Sequence, residues 1–134
     1  MQDAAFTQDM AAAARSIGKS VPMFFVRDMR ATVQWYESMG FTVSDQYEDD
    51  GELVFATVSL GAGEFALSPG GDSGPRNVNF WFFTDRVEEF YRLFREQKPD
   101  VRFDEDLYEP FYGGRQFSIF DNNGLSLVFW QPQR

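Results

Sequence analysis

Between Asp104 and Gly114 the chain reads DEDLYEPFYGG, with Asp104, Glu105, Asp106 and Glu109 interleaved among Tyr108, Phe111 and Tyr112. Acid next to aromatic suits a cation. The carboxylates attract an amine or guanidinium, and ring faces hold it by cation–π contact. Gly113 and Gly114 give such a loop freedom to move. A second acidic stretch, DQYEDDGE, holds Asp45, Glu48, Asp49, Asp50 and Glu52, and neither stretch contains Lys or Arg. The bland reading of both is a solvated hairpin tip. The first is the better candidate, because solubility alone does not call for its aromatics.

Other chemistries are narrowed by what is missing. The 134 residues include no His and no Cys. Disulfides, thiolate metal sites and a cysteine nucleophile are excluded, and so is the commonest metal ligand and near-neutral general base. Ser118 and Ser126 have no His to activate them, so a hydrolase triad is excluded too. A metal would rest on carboxylates and amides alone, which suits Mg²⁺ or Mn²⁺ rather than softer ions. GAGE is a turn and not a phosphate loop, since no helix with a Lys follows it. A net charge of −9 and a pI near 4.4 disfavour nucleic acid as a partner and favour a cationic small molecule.

These groups need a small fold to position them. No run approaches the ~18 apolar residues of a membrane span. The start, MQDAAFTQDM, lacks a basic n-region and an apolar h-region, so it is not read as a secretory signal, and a cytoplasmic location is the default. Residues 1–19 read as an N-terminal helical arm, with Phe6, Met10, Ala13, Ala14 and Ile17 at helical spacing and Gly18 at its end. Residues 20–68 form a first βαβββ module: strand VPMFFV, cap Asp28, a helix through ATVQWYESM to Gly40, then FTVSDQY, LVFATVSL and GEFALS. PGGDSGPR, residues 69–76, is a Gly/Pro-rich linker. Residues 77–131 repeat the order: NVNFWFFT, cap Asp85, helix RVEEFYRLFREQK, then VRFDED, GRQFSIF and LSLVFW, with DNNG turning between the last two. Asp28 and Asp85 are 57 positions apart, as are Val21 and Val78, which marks an internal repeat within one compact domain.

VPMFFVRDMRATVQWYESMGF resembles the opening module of the glyoxalase/bleomycin-resistance protein/dioxygenase (vicinal oxygen chelate) superfamily. GRQFSIFDNNG resembles that family's closing hairpin. The similarity covers about residues 20–131, with Trp35, Tyr36, Gly40 and Phe41 at matching places. The resemblance implies an α+β fold in which two βαβββ modules form a cup-shaped mixed sheet, here with an extra N-terminal helix. In the family's enzymes a metal sits at the base of the cup. Carried over residue by residue, its ligand positions fall on Val21, Ala66, Val78 and Val128. None of these offers a lone pair on O, N or S, so no metal and no cofactor are expected. Alternation along the strands then lines the cup with Met23, Phe25, Glu64, Ser68, Phe80, Phe82, Ser126 and Trp130, and the family's substrate-contacting parity adds Gln116, Ser118 and Phe120. Phe24, Val26, Phe65, Leu67, Trp81, Phe83, Phe117, Ile119, Leu127 and Phe129 are expected to pack under the helices.

The reading favoured by sequence and resemblance is a metal-free binding protein of the bleomycin-resistance type rather than an enzyme. It would sequester a cationic or aromatic ligand, antibiotics included, in an aromatic cup at the interface of a homodimer, with no nucleic acid or membrane partner. Its ligand-binding set is Met23, Phe25, Glu64, Phe80, Phe82, Tyr108, Phe111, Tyr112, Gln116, Ser118, Phe120 and Trp130, and no residue is assigned as catalytic. Two alternatives stay open. One is a divergent lyase or isomerase using Glu64, the one ionisable group expected inside the cup, or a carboxylate-bound Mg²⁺ or Mn²⁺. The other is an accessory interaction domain whose cup is filled.

Overall fold

Asp28 begins the first module's helix as its spacing predicts: its side chain accepts from the Ala31 amide at 3.0 Å, which caps α2 (Met29–Ser38). Met29, Thr32, Val33 and Tyr36, one face at helical spacing, are buried. The helix closes when the Phe41 amide reaches back to the Tyr36 carbonyl at 3.0 Å, which requires the left-handed φ of +91° that Gly40 supplies. The computed structural model describes residues 4–71 and 78–133, so most of the expected 69–76 linker lies outside the described residues. Before α2 come α1 (Ala4–Ala14), none of whose residues is buried, and strand β1 (Met23–Val26). After it come β2 (Thr42–Asp49), β3 (Glu52–Leu60) and β4 (Gly63–Pro69), then β5 (Asn79–Phe83), α3 (Val87–Gln97), β6 (Arg102–Tyr108), β7 (Arg115–Phe120) and β8 (Ser126–Gln131). Among the described residues no helix is long and apolar enough to cross a membrane.

The strands form two four-stranded mixed sheets, ordered β1-β4-β3-β2 and β5-β8-β7-β6. The β1–β4 and β5–β8 pairs are parallel and the others antiparallel, so each βαβββ unit builds its own sheet. Each sheet buries one face. Phe24, Val26, Phe65 and Leu67 face inward in the first, and Phe117, Ile119, Leu127 and Phe129 in the second. Phe117 and Phe129 stack at 5.1 Å and 5°. Full burial of such a ring contributes about 2–3 kcal/mol over leaving it exposed.

One strand is out of phase with the expectation. Phe80 and Phe82 belong to the buried face, and Phe82, 7% exposed, stacks on Phe129 at 5.1 Å. Trp81 and Phe83, expected under the helix, lie on the open face instead, 37% and 70% exposed. The register explains it: Phe80 and Phe82 pair with Leu127 and Phe129, Trp81 with Val128, and Phe83 with Trp130. The expected phase followed from placing a ligand position on Val78, 57 residues after Val21 and in step with Asp28 and Asp85, but Asp85 does not cap α3. The N-cap is Arg86, with no side-chain cap bond, while its amide donates to Thr84 Oγ1. The helices start at Met29 and Val87, a repeat of 58 rather than 57, and one residue inverts a strand's faces.

The modules meet through their buried faces, with Phe80 packed on Phe24 at 5.7 Å and on Phe65 at 4.7 Å, and Phe41 on Phe82 at 5.9 Å. The DNNG turn adds a polar lock. The wholly buried Tyr36 hydroxyl donates to Asp121 Oδ2 at 2.6 Å, and Asp121 Oδ1 accepts from the Asn123 and Leu125 amides at 2.8 Å each. Asn123 Nδ2 donates to Thr32 Oγ1 at 2.9 Å. Burial, then the charge and hydrogen bond of Asp121, hold the Tyr36 phenol well above its ordinary range. The folded chain therefore keeps this proton where the unfolded chain releases it. The stabilisation is complete below about pH 10 and declines as pH rises toward the folded value. Above that pH, the wild type should lose stability faster than Tyr36→Phe, by up to ~1.4 kcal/mol per pH unit. Urea unfolding at about pH 9 and pH 11 measures the two slopes, and equal slopes would refute the assignment.

Candidate ligand-binding face

Strand pairing sets which side chains share the open face of the second sheet. Gln116 lies opposite Trp130, Ser118 opposite Val128 and Phe120 opposite Ser126. On the other side of β8, Asn79, Trp81 and Phe83 join the same rows. The expected parity of β7 and β8 therefore matches the register, with Gln116, Ser118, Phe120, Ser126 and Trp130 on one side.

β6 contributes more than simple alternation allows. Its register against β7 shifts between Phe103 and Glu105 and again between Glu105 and Tyr108. Such irregularities re-aim side chains. Phe103 packs against the core, yet Glu105 pairs with Ser118 and Tyr108 with Gln116, on the open face. Asp106 turns the other way, to Arg95 at 2.8 Å and to the Tyr91 hydroxyl. Those two hydrogen bonds, Tyr91's first, hold its carboxyl below the usual range. Asp106 is thus withdrawn from the acidic stretch as a cation-steering group.

Glu105 is the centre of a hydrogen-bonded network. Its Oε1 accepts from Gln116 Nε2 and Ser118 Oγ, each at 3.1 Å, and its Oε2 from the Tyr108 hydroxyl at 2.9 Å. Gln116 Nε2 also donates to the Tyr108 oxygen at 3.0 Å, and the Tyr112 hydroxyl donates to Gln116 Oε1. Burial first, and then the Glu105 hydrogen bond, push the Tyr108 phenol up to about 12. Nearby, Ser126 Oγ donates to Asp104 Oδ2 at 3.1 Å. The donors converge on one carboxylate, which fixes its position without cancelling its charge.

Rings border this network. Trp130 lies 5.1 Å from Phe83, 6.1 Å from Trp81 and 6.2 Å from Tyr112. Its indole N–H donates to the Gly113 carbonyl at 3.0 Å, which ties the 109–114 loop to the sheet, while Phe111 at the loop's tip is fully exposed. A cleft of about 640 Å³ separates this loop from the Gln131–Gln133 tail, while another of about 470 Å³ lies at the β3–β4 turn, between Leu60–Gly63 and β5, with Phe82, Phe90 and Phe129 in its lining. Gly114 is tight: with φ at +80°, a Cβ there would collide with the Gln131 carbonyl and sit 2.7 Å from Trp130 Nε1. Gly114→Ala should therefore lower the melting temperature and change Trp130 fluorescence. An unperturbed variant would show that the loop does not fix the ring.

The first sheet's open face is sparser. Met23 and Phe25, opposite Ala66 and Ser68, are 47% and 53% exposed. Glu64 is not a bare carboxylate, since Lys19 Nζ bonds both its oxygens at 3.0 Å. No ring contact among the described residues joins the open face of one sheet to that of the other, so the expected set is not gathered into one pocket within this chain. Trp81 and Phe83 are open-face residues expected under the helix, and Glu105, expected as one of four acids in a loop, sits within the face itself. The signal for Glu105 was present only as one acid in an acidic run.

The donor set does not fit a metal. With β5 shifted by one, the superfamily ligand positions become Val21, Ala66, Asn79 and Val128. Three are hydrocarbon, and Asn79 Oδ1 already accepts from Trp81 Nε1 at 2.9 Å. Among the described residues no group of three or more His, Cys, Asp or Glu could hold a metal ion.

Paired βαβββ units, each with a buried helix-side face and an open one, define a two-module α+β protein. The chain belongs to the Glyoxalase/Bleomycin resistance protein/Dioxygenase superfamily, whose family model matches residues 20–129. Comparison with curated proteins finds no match. Solved structures share the fold. A glyoxalase-related enzyme from Clostridium phytofermentans has a TM-score of 0.70 at 23% identity, covering 87% of this chain and 95% of that one. A bleomycin resistance determinant encoded on the transposon Tn5 has 0.67 at 18%, covering 88% and 100%. A bleomycin-binding protein complexed with bleomycin has 0.65 at 18%, covering 87% and 100%.

Proposed function

We propose that the protein is a metal-free, cytoplasmic binder that captures a cationic or aromatic small molecule one-to-one per site, without chemistry, and so confers resistance to a toxic compound such as an antibiotic. The observation that carries this reading is the open face of the second sheet, where exposed Trp81, Phe83, Tyr108 and Tyr112 and the half-buried Trp130 surround a carboxylate fixed by Gln116, Ser118 and Tyr108. Exposed rings beside a positioned charge are what ligand recognition needs, whereas a filled core would bury them. Support also comes from the structural relatives that the comparisons describe as a bleomycin resistance determinant and a bleomycin-binding protein.

A second copy supplies the natural cover. In a C2 dimer, the first sheet's open face of one chain, with Met23 and Phe25, would lie over the second sheet's face of the other and complete two equal sites. A monomer in sedimentation at micromolar concentration would remove that cover from the proposal. Glu64, held by Lys19, offers no support for the enzymatic alternative.

The test is a thermal-shift screen of cationic aromatic compounds, followed by kinetics on Glu105→Gln and Asp104→Asn. Loss of these charges should slow association and flatten its salt dependence, because such charges act on encounter. Unchanged kinetics in both variants would refute this assignment of the site.

A further inference from the structure

We propose that the cleft at the β3–β4 turn is a second small-molecule site, separate from the cation-capturing face, and that it takes an uncharged aromatic molecule of about two or three rings. The inference does not depend on the reading of the open face, whose central carboxylate sits on β6, at the opposite edge of the second sheet from β5.

The cleft lies on the seam between the modules, where β5 is the outer strand of its sheet. Its volume, about 470 Å³, falls in the ~300–1,000 Å³ range of small-molecule sites, which collect where packed units meet. The floor is aromatic and fixed. Phe82 and Phe90 each lie 5.1 Å from the buried Phe129, at 20° and 34°, and Phe41 of the first module holds Phe82 at 5.9 Å. Trp81 and Phe83, both exposed, add ring surface to the walls.

The opposite wall is kept low by the hairpin. Leu60 and Gly63 pair across a two-residue turn, in which Gly61 takes the φ of +57° that the first central position favours. That geometry accounts for Gly61 alone. Gly63 is small for another reason, since a Cβ there would come within 2.7 Å of the Phe82 ring. Ala62 is exposed, and its place in the turn accepts a larger side chain. Three small residues in a row leave the space beside the rings open.

Charge decides the ligand class. The chain carries 21 acidic and 12 basic residues, yet none of them lines this cleft. Its two polar side chains are already engaged: Trp81 Nε1 donates to Asn79 Oδ1 at 2.9 Å, and Thr84 Oγ1 accepts from the Arg86 amide at 3.0 Å. An ion entering here would give up water beside rings, with no counter-charge to meet it. An uncharged ring system strands no polar group and gains the burial of its faces. The cleft at the 109–114 loop differs, with Glu109 and Arg115 in its lining.

The test titrates the full chain with N-phenyl-1-naphthylamine, whose emission rises in apolar surroundings, and with its sulfonated counterpart 1-anilinonaphthalene-8-sulfonate. Salt at about 0.3 M screens the net charge of the chain. The neutral probe should bind one-to-one, at least about ten-fold more tightly than the sulfonate, and shift the Gly61, Ala62 and Gly63 amide signals in ¹H–¹⁵N spectra. Ala62→Trp, which fills the cleft from an exposed turn position, should weaken the neutral probe about ten-fold or more, whereas Ala62→Ser, which keeps the space, should not. Equal binding of the two probes, saturation with the turn amides unmoved, or full-strength binding to Ala62→Trp would overturn the site. So would the absence of binding, including exclusion of the probe by a dimer that covers the cleft. None of these results bears on the open face, which the screen of cationic compounds tests by itself.

Discussion

Trp130→Ala should weaken binding of a screened cationic aromatic ligand by about 30-fold or more, a loss of ~2 kcal/mol, which is the scale of a true anchor residue. Trp130 is the ring that all the others share: Phe83, Trp81 and Tyr112 pack around it, and its N–H holds the 109–114 loop at Gly113. Truncation removes a stacking surface and also releases the loop. The effect should fall mainly on dissociation, as most interface truncations do, whereas Glu105→Gln should act mainly on association. Stopped-flow kinetics separate the two. An unchanged dissociation rate in the folded Trp130→Ala protein would mean that the ligand, if bound, lies elsewhere.

The largest stability effect is expected at Asp121, in the turn between β7 and β8. Asp121→Ala strands three donors in the protein interior: the Tyr36 hydroxyl and the Asn123 and Leu125 amides. Each buried unsatisfied donor costs about 1–3 kcal/mol, so a total loss of ~3 kcal/mol or more is expected in urea unfolding. Asp121→Asn, which keeps an acceptor, should lose less. A loss below about 1 kcal/mol for the alanine variant would show that the turn does not lock the modules together.

Much of the fold was legible because its signals are local. Asp28, the apolar face of α2 and Gly40 mark a helix with its start and stop, and the second module repeats the order. Alternation was also readable on β7 and β8, where Gln116 and Ser118 contrast with Phe117 and Ile119. It failed on β5. In NFWFF every position after Asn79 is aromatic, so polarity cannot tell the faces apart, and the phase rested on Val78 as the counterpart of Val21, with Asp85 as the matching cap. Arg86, one residue further on, is the real N-cap. Glu105 was legible only as one of four acids beside aromatics: a register shift against β7 aims it into the face, and nothing in an acidic run announces such a shift. DNNG read correctly as a turn, but its burial depends on Tyr36 and Thr32, which lie roughly ninety residues earlier. Contacts between modules leave no periodicity to read.

The most direct test of capture on the second sheet's open face is an ¹H–¹⁵N titration that follows the indole N–H signals of the chain's three tryptophans. Trp81 and Trp130 lie on that face, while Trp35 belongs to α2 and serves as an internal reference. Adding a cationic aromatic compound from the screen should shift the Trp81 and Trp130 signals, saturate at one equivalent per site, leave Trp35 in place, and return the compound chemically unchanged. Saturation with Trp81 and Trp130 unmoved, or recovery of a converted product, would contradict capture at this face.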